Sequence, residues 1–155
     1  MKAVVTRVRE ASVTIDGACC GKIGKGFLVL LGVGPDDTEK EAERMADKVC
    51  GVRVFEDEAG KMNLSLNAVA GELLVVSQFT LYADCRRGFR PSFVKAGNPE
   101  LANRLYEYII AECEKHFHTE KGIFGAEMKV SLLNDGPFTI ILDSDRLVKE
   151  SRNGN

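Results

Sequence analysis

Only two histidines occur in this chain, His116 and His118, and that scarcity removes the usual base for a serine or threonine nucleophile. Both fall just past the end of an expected surface helix, where a solvated imidazole sits comfortably against the helix dipole. The five cysteines (Cys19, Cys20, Cys50, Cys85 and Cys113) are odd in number and form no CxxC spacing. This argues against a disulfide framework and for a reducing compartment. Cys113-x-x-His116-x-His118 lacks a fourth ligand, and Cys113 belongs to an apolar helix stripe, so no metal is expected. A net charge of −2 gives no global attraction to nucleic acid or to an acidic membrane, so a polyanion must be held by a local patch. No run approaches the roughly 18 apolar residues of a membrane span, and Arg7, Arg9 and Glu10 interrupt any signal-type core. A cytoplasmic protein without a membrane partner is the expectation. There is no P-loop, no GxGxxG and no paired-carboxylate arrangement; the GKIGKG run from Gly21 to Gly26 lies between two strands and opens no helix. A hairpin turn explains it better than a phosphate cradle, and no cofactor is expected.

What is present is ordinary for one globular domain: 155 residues, 45% hydrophobic and 28% charged. The domain is expected over residues 1–148, with a polar, frayed tail over 149–155. Lys2 to Val8 and Ala11 to Ile15 read as two strands, and Asp16-Gly17 as a primed hairpin turn into a strand over Cys19 to Ile23. Phe27 to Val33 is too continuously apolar to face water on either side, which places it centrally in the sheet. Thr38 and Glu41 form a capping box for a helix whose buried face is Ala42, Met45, Ala46, Val49 and Cys50. Val52 to Phe55 reads as a strand, and Met62 to Ala70 as a loop or short strand. Asn98-Pro99 opens a second helix with the stripe Ala102, Leu105, Tyr106, Ile109, Ile110 and Cys113. Two further strands, Glu127 to Leu133 and Phe138 to Leu142, flank Asn134-Asp135-Gly136-Pro137, which alone reads as a β-turn. The order predicts an α+β fold: a strongly bent, barrel-like, mainly antiparallel sheet with two main helices packed outside.

The chemistry-bearing stretch runs from Leu73 to Phe93, LLVVSQFTLYADCRRGFRPSF. Leu73 to Val76 has the pattern of a strand buried on both faces, and Ser77, Gln78 and Thr80 follow at its end, where a rigid element can hold small polar groups at a surface. The chain then turns cationic at Arg86, Arg87 and Arg90, with Lys95 beyond. These three arginines and Lys95 are candidate phosphate contacts, and Phe89 a candidate aromatic face for a terminal base. Each signal has a structural alternative: a strand end with satisfied side chains, a solvated basic face, a core phenylalanine.

Together these residues resemble the D-aminoacyl-tRNA deacylase family over nearly the whole chain. The resemblance rests on RV-x-x-ASV (Arg7, Val8, Ala11, Ser12, Val13), GFLVLLGV, GKMNLS (Gly60 to Ser65), SQFTL (Ser77 to Leu81), RGFRPSF (Arg87 to Phe93) and NDGPFT (Asn134 to Thr139). Most relatives carry valine after the Gly-Pro pair, where Phe138 stands here, a departure that bears on packing behind the turn. The resemblance implies hydrolysis of the ester joining a D-amino acid, or the achiral glycine, to the 3′ adenosine of tRNA. It also implies a homodimer with active sites at the subunit interface, a cis Gly136-Pro137 peptide that reaches into the partner's pocket, and Ser77, Gln78, Phe79 and Thr80 on the pocket floor. Arg7, Asn134 and Thr139 are implied as substrate-binding. Aminoacylated tRNA is thus the expected partner, and no DNA is expected.

An aminoacyl ester on ribose is labile and has a 2′-hydroxyl beside the scissile bond, so a strong protein nucleophile is not required. Orientation and oxyanion donors from the Phe79 and Thr80 N–H groups, with Gln78 nearby, can suffice; one such donor is worth roughly 3 kcal/mol. The alternatives are a covalent Thr80 nucleophile in a general esterase, and a non-catalytic nucleic-acid-binding module using the same loop.

Overall fold

The structure, a computed structural model, describes residues 1–147; the tail expected over 149–155 lies outside the described residues. It is α+β, with a bent, barrel-like sheet and two helices outside. Strand β1 (Lys2–Ile15) is the spine. Its first half pairs antiparallel with β3 (Gly26–Gly32), its second half with β2 (Ala18–Ile23), and β8 (Lys129–Asp143) runs antiparallel along the opposite edge. The two strands expected over residues 2–15 are therefore one. No glycine or proline breaks the chain there, and the change of phase around Arg9 and Glu10 is absorbed by bulges against β8. The turn between β1 and β2 is the primed turn its sequence predicts, with Asp16 and Gly17 both at positive φ.

Beyond β3 the sheet is parallel. Strand β6 (Glu72–Ser77) lies beside β3, and the short β7 (Thr119–Lys121) lies beside β6. The antiparallel pairings dominate but are not alone, because helical crossovers bring β6 and β7 back in the same direction. A Cβ at Gly26 would overlap the backbone of Glu72, so only glycine lets β3 begin this parallel pairing. A small hairpin, β4 (Arg53–Glu56) and β5 (Met62–Ser65), stands apart.

The continuous apolar runs are explained by two cores on opposite faces of the sheet. Phe27, Val29, Leu31, Leu73 and Val75 point toward the helices, whereas Leu28, Leu74 and Val76 join Val8, Val13 and Ile23 inside the bend. Each such side chain contributes about 1.5–3 kcal/mol by leaving water. Helix α1 (Glu39–Gly51) has both halves of its capping box, Thr38 and Glu41, and buries Ala42, Met45, Ala46 and Val49. Helix α2 (Pro99–Glu114) is capped by the Asn98 side chain, which accepts from the Leu101 N–H at 2.9 Å, and buries all six residues of the predicted stripe.

The chain does not reverse at Asn134 to Pro137. Both halves of β8 stay paired with β1, and residues 135–138 bulge out opposite the single residue Arg7. The expected β-turn between two strands is a wide bulge within one strand, since β1 supplies pairing partners on both sides of it.

Candidate active site

Strand β6 delivers the polar stretch to its place. Gln78 donates its N–H to Leu31 O at 2.7 Å, extending the parallel ladder by one bond, and the chain then enters a 3₁₀ turn over Phe79–Tyr82. Phe79 and Thr80 open that turn, so their N–H groups have no acceptor within it. The Gln78 side-chain amide bonds Thr80 Oγ1. Small hydrogen-bonding groups are thereby held at the rim of a rigid strand.

Beside them lies a cavity of about 600 Å³. Ser77, Gln78 and Phe79 form one side, Leu31 of β3 and Val33 just beyond it the floor, and Ala102 and Tyr106 of α2 another wall. Phe93, Ala96 and Gly97 come from the loop before α2, and Phe124, Gly125, Ala126, Met128 and Val130 close the remaining side. The lining contains no Asp, Glu, His, Lys, Arg or Cys. Its one titratable group is Tyr106, which is buried, and burial pushes its hydroxyl well above the ordinary range. That hydroxyl lies 2.9 Å from Val75 O and 3.3 Å from Gly122 O, so it ties the segment carrying Phe124 to β6. A cavity of this kind can orient an apolar or aromatic group and donate hydrogen bonds at one edge. It has no group suited to moving protons near neutral pH.

Of the sequence-predicted residues, Ser77, Gln78 and Phe79 line this cavity, and Thr80 lies beside it through its bond to Gln78. The aromatic and small residues from 124 to 130 were not anticipated. They have no catalytic signature, and only the long-range packing of β6 against α2 brings them to the site.

The second predicted cluster is built around the bulge. Arg7 Nε donates to Asp135 O at 2.8 Å, and its Nη1 donates to Val54 O. The guanidinium carbon lies 5.1 Å from the centre of the Phe138 ring. Asn134 Oδ1 accepts from the Phe138 N–H at 2.8 Å, while Asn134 Nδ2 reaches Thr139 Oγ1 at 3.2 Å. Gly136 and Pro137 are joined by a cis peptide bond and are exposed. They do not line the cavity of their own chain, and Arg7, Asn134 and Thr139 brace them rather than the cavity.

The cationic segment is closed by a bridge between Asp84 and Ser92. Arg86 pairs with Asp84 at 2.7 Å and Lys95 with the same carboxylate at 3.4 Å. The Arg86 hydrogen bonds hold the Asp84 carboxyl well below the usual carboxylate range. Arg87 and Arg90 have no ion pair among the described residues. Phe89 is fully exposed rather than part of the core. His118 Nε2 sits 3.2 Å from Glu120 and 3.5 Å from Glu72, and neither it nor His116 lines the cavity. Among the described residues no cluster suits a metal ion and no helix is long and apolar enough to cross a membrane.

Known proteins resemble this chain in sequence and fold. A protein of Desulfatibacillum aliphaticivorans named D-aminoacyl-tRNA deacylase is 58% identical over 145 residues, covering 93% of this chain and 99% of that protein. One of the same name from Thermosipho melanesiensis is 53% identical, covering 95% of this chain and 99% of that one. Among solved structures, the c-Myc DNA unwinding element binding protein is 44% identical with a TM-score of 0.87, covering 92% of this chain and 98% of its own. A probable eukaryotic D-amino acid tRNA deacylase, 13% identical with a TM-score of 0.80 over 91% of this chain and 97% of its own, shares the fold. The family described as D-Tyr-tRNA(Tyr) deacylase matches residues 4–143, and with relatives above 50% identity along almost its full length, this chain belongs to that family of ester hydrolases.

Proposed function

We propose that the protein hydrolyses the ester of D-aminoacyl-tRNA, and of glycyl-tRNA, in the cytoplasm, and leaves L-aminoacyl-tRNA intact. The observation that carries this reading is a cavity that lies beside the N-terminal end of the Phe79–Tyr82 turn and has no Asp, Glu, His, Lys, Arg or Cys in its lining. Water attacks the ester carbonyl, the Phe79 and Thr80 N–H groups receive the oxyanion, and Gln78 keeps the turn in place. The ribose 2′-hydroxyl takes a proton from the attacking water as it passes its own to the departing 3′-oxygen, so the substrate supplies what the cavity lacks.

Chirality is assigned to backbone. An apolar pocket discriminates by only about 1–3 kcal/mol per methylene, whereas main-chain carbonyls on a braced bulge leave an L side chain no room. Gly136 and Pro137 reach a cavity only in another copy of the chain, so the active form is a homodimer. Supporting this, β8 pairs on one edge only, and Leu132, Leu133 and Ile141 expose apolar surface on either side of the bulge. Arg87, Arg90 and Phe89 contact the tRNA backbone and a terminal base.

A second reading is a nucleic-acid-binding module without turnover; the DNA-binding name of the 44% identical relative and the exposed Phe89 beside arginines favour it. Incubating the protein with D-Tyr-tRNA, L-Tyr-tRNA and an aryl ester separates the readings. Release of D-Tyr alone is expected. Binding without release supports the module, and aryl ester cleavage supports a general esterase.

A further inference from the structure

Two thiols outside the cavity face each other between the helices. Cys50 Sγ lies 3.9 Å from Cys113 Sγ; both are free, Cys50 half-buried and Cys113 buried. Helices α1 and α2 run side by side in one direction, because Glu39 meets Arg104, Glu43 meets Tyr108 and Cys50 meets Cys113 at sequence offsets of 65, 65 and 63. The pair therefore sits where the C-terminal ends of two helices already held in register come together. The sulfurs need to close by about 2 Å to reach bonding distance.

We propose that Cys50 and Cys113 are an oxidation site, at which a small peroxide produces a disulfide that staples α1 to α2. The Cys50 sulfur attacks one oxygen of hydrogen peroxide, the O–O bond breaks, water departs and Cys50 holds a sulfenic acid. The Cys113 sulfur then attacks the Cys50 sulfur, the S–O bond breaks, a second water departs and the S–S bond forms. Two electrons pass from the thiols to the peroxide, and both thiol protons end in water.

The two cysteines are unequal in the way this sequence needs. Half-buried Cys50 admits a molecule the size of peroxide, while Cys113 is screened from direct attack and reaches only its neighbour. The Cys113 thiol beside it holds Cys50 below its ordinary value, whereas the same hydrogen bond, with burial, pushes Cys113 up. Its partial exposure makes Cys50 the attacking sulfur and the buried Cys113 the resolving one. Because α2 also supplies Ala102 and Tyr106 to the cavity, the staple fixes a wall of the site against α1.

The test treats the reduced full-length protein with hydrogen peroxide and follows intact mass, peptide mapping and melting. Loss of two hydrogens, a linked Cys50–Cys113 peptide pair and a Tm raised by roughly 10 °C are expected, all reversed by dithiothreitol. Cys50→Ser, at a half-buried position that tolerates the change, removes the linked peptide and the Tm rise; Cys113→Ala does the same. Added oxygen on Cys50 without a cross-link, disulfides confined to Cys19, Cys20 and Cys85, or an unchanged mass each overturn the proposal.

Discussion

Replacing Gly136 by alanine tests the bulge directly. The residue sits at φ +145°, a backbone region that side chains rarely adopt, and an added Cβ would lie 2.9 Å from the Phe138 nitrogen and 3.1 Å from Arg7 Nη2. Neither neighbour can yield cheaply. The Phe138 N–H is held by Asn134 and the Arg7 guanidinium by Asp135 O. Backbone strain of about 1–3 kcal/mol and partial loss of a charged hydrogen bond of about 1.5–3 kcal/mol together displace the bulge by about 2–4 kcal/mol. At 1.36 kcal/mol per tenfold, this is a fall of roughly 30- to 900-fold in the population of the native bulge. Because the bulge is exposed, the rest of the sheet survives, so the measured pattern is a modest change in Tm with a large loss of D-Tyr-tRNA turnover. Steady-state deacylation with D- and L-Tyr-tRNA, beside a melting curve, reads both. An alanine variant with wild-type turnover and undiminished rejection of L-Tyr-tRNA refutes the reasoning.

Thr80→Ala removes the Gln78 bond to the hydroxyl and lowers turnover by about tenfold at most if the backbone N–H is the working group, and abolishes it if the hydroxyl is a nucleophile; rapid-quench assays for a covalent intermediate decide. Arg87→Gln and Arg90→Gln each lower the salt dependence of tRNA binding by about one unit of slope, whereas Arg86→Gln lowers it less because Arg86 is already engaged by Asp84. An equal effect at all three positions contradicts the assignment. The Asp84 carboxyl titrates below its unfolded value, so its pairing stabilises the loop above the ordinary carboxylate range and is lost as pH falls through the lowered value. Asp84→Asn therefore leaves acid unfolding less steep than in the wild type; identical acid limbs argue against it.

Much of the scaffold was legible because its signals are local. The Thr38–Glu41 box, the Asn98-Pro99 cap, the Asp16-Gly17 turn and both helix stripes are decided by residues within a few positions of one another. What was not legible depends on distant partners. Thr119–Lys121 has no strand pattern and becomes one because β6 has an open edge beside it. Asn134 to Pro137 reads as a turn, yet β1 passes beneath and keeps both flanks paired. The cavity was half legible in the same sense. Ser77, Gln78 and Phe79 announce themselves at a strand end, while Phe124, Ala126 and Met128 look like filler until α2 and β6 bring them opposite.

The central claim is that the nucleic acid contributes the reactive hydroxyl that this cavity lacks. Single-turnover deacylation of D-Tyr-tRNA ending in 2′-deoxyadenosine, compared with the same tRNA ending in adenosine, measures that contribution. A loss of about a hundredfold or more, the scale of a general acid–base group, is the predicted result, and equal rates on the two substrates contradict it.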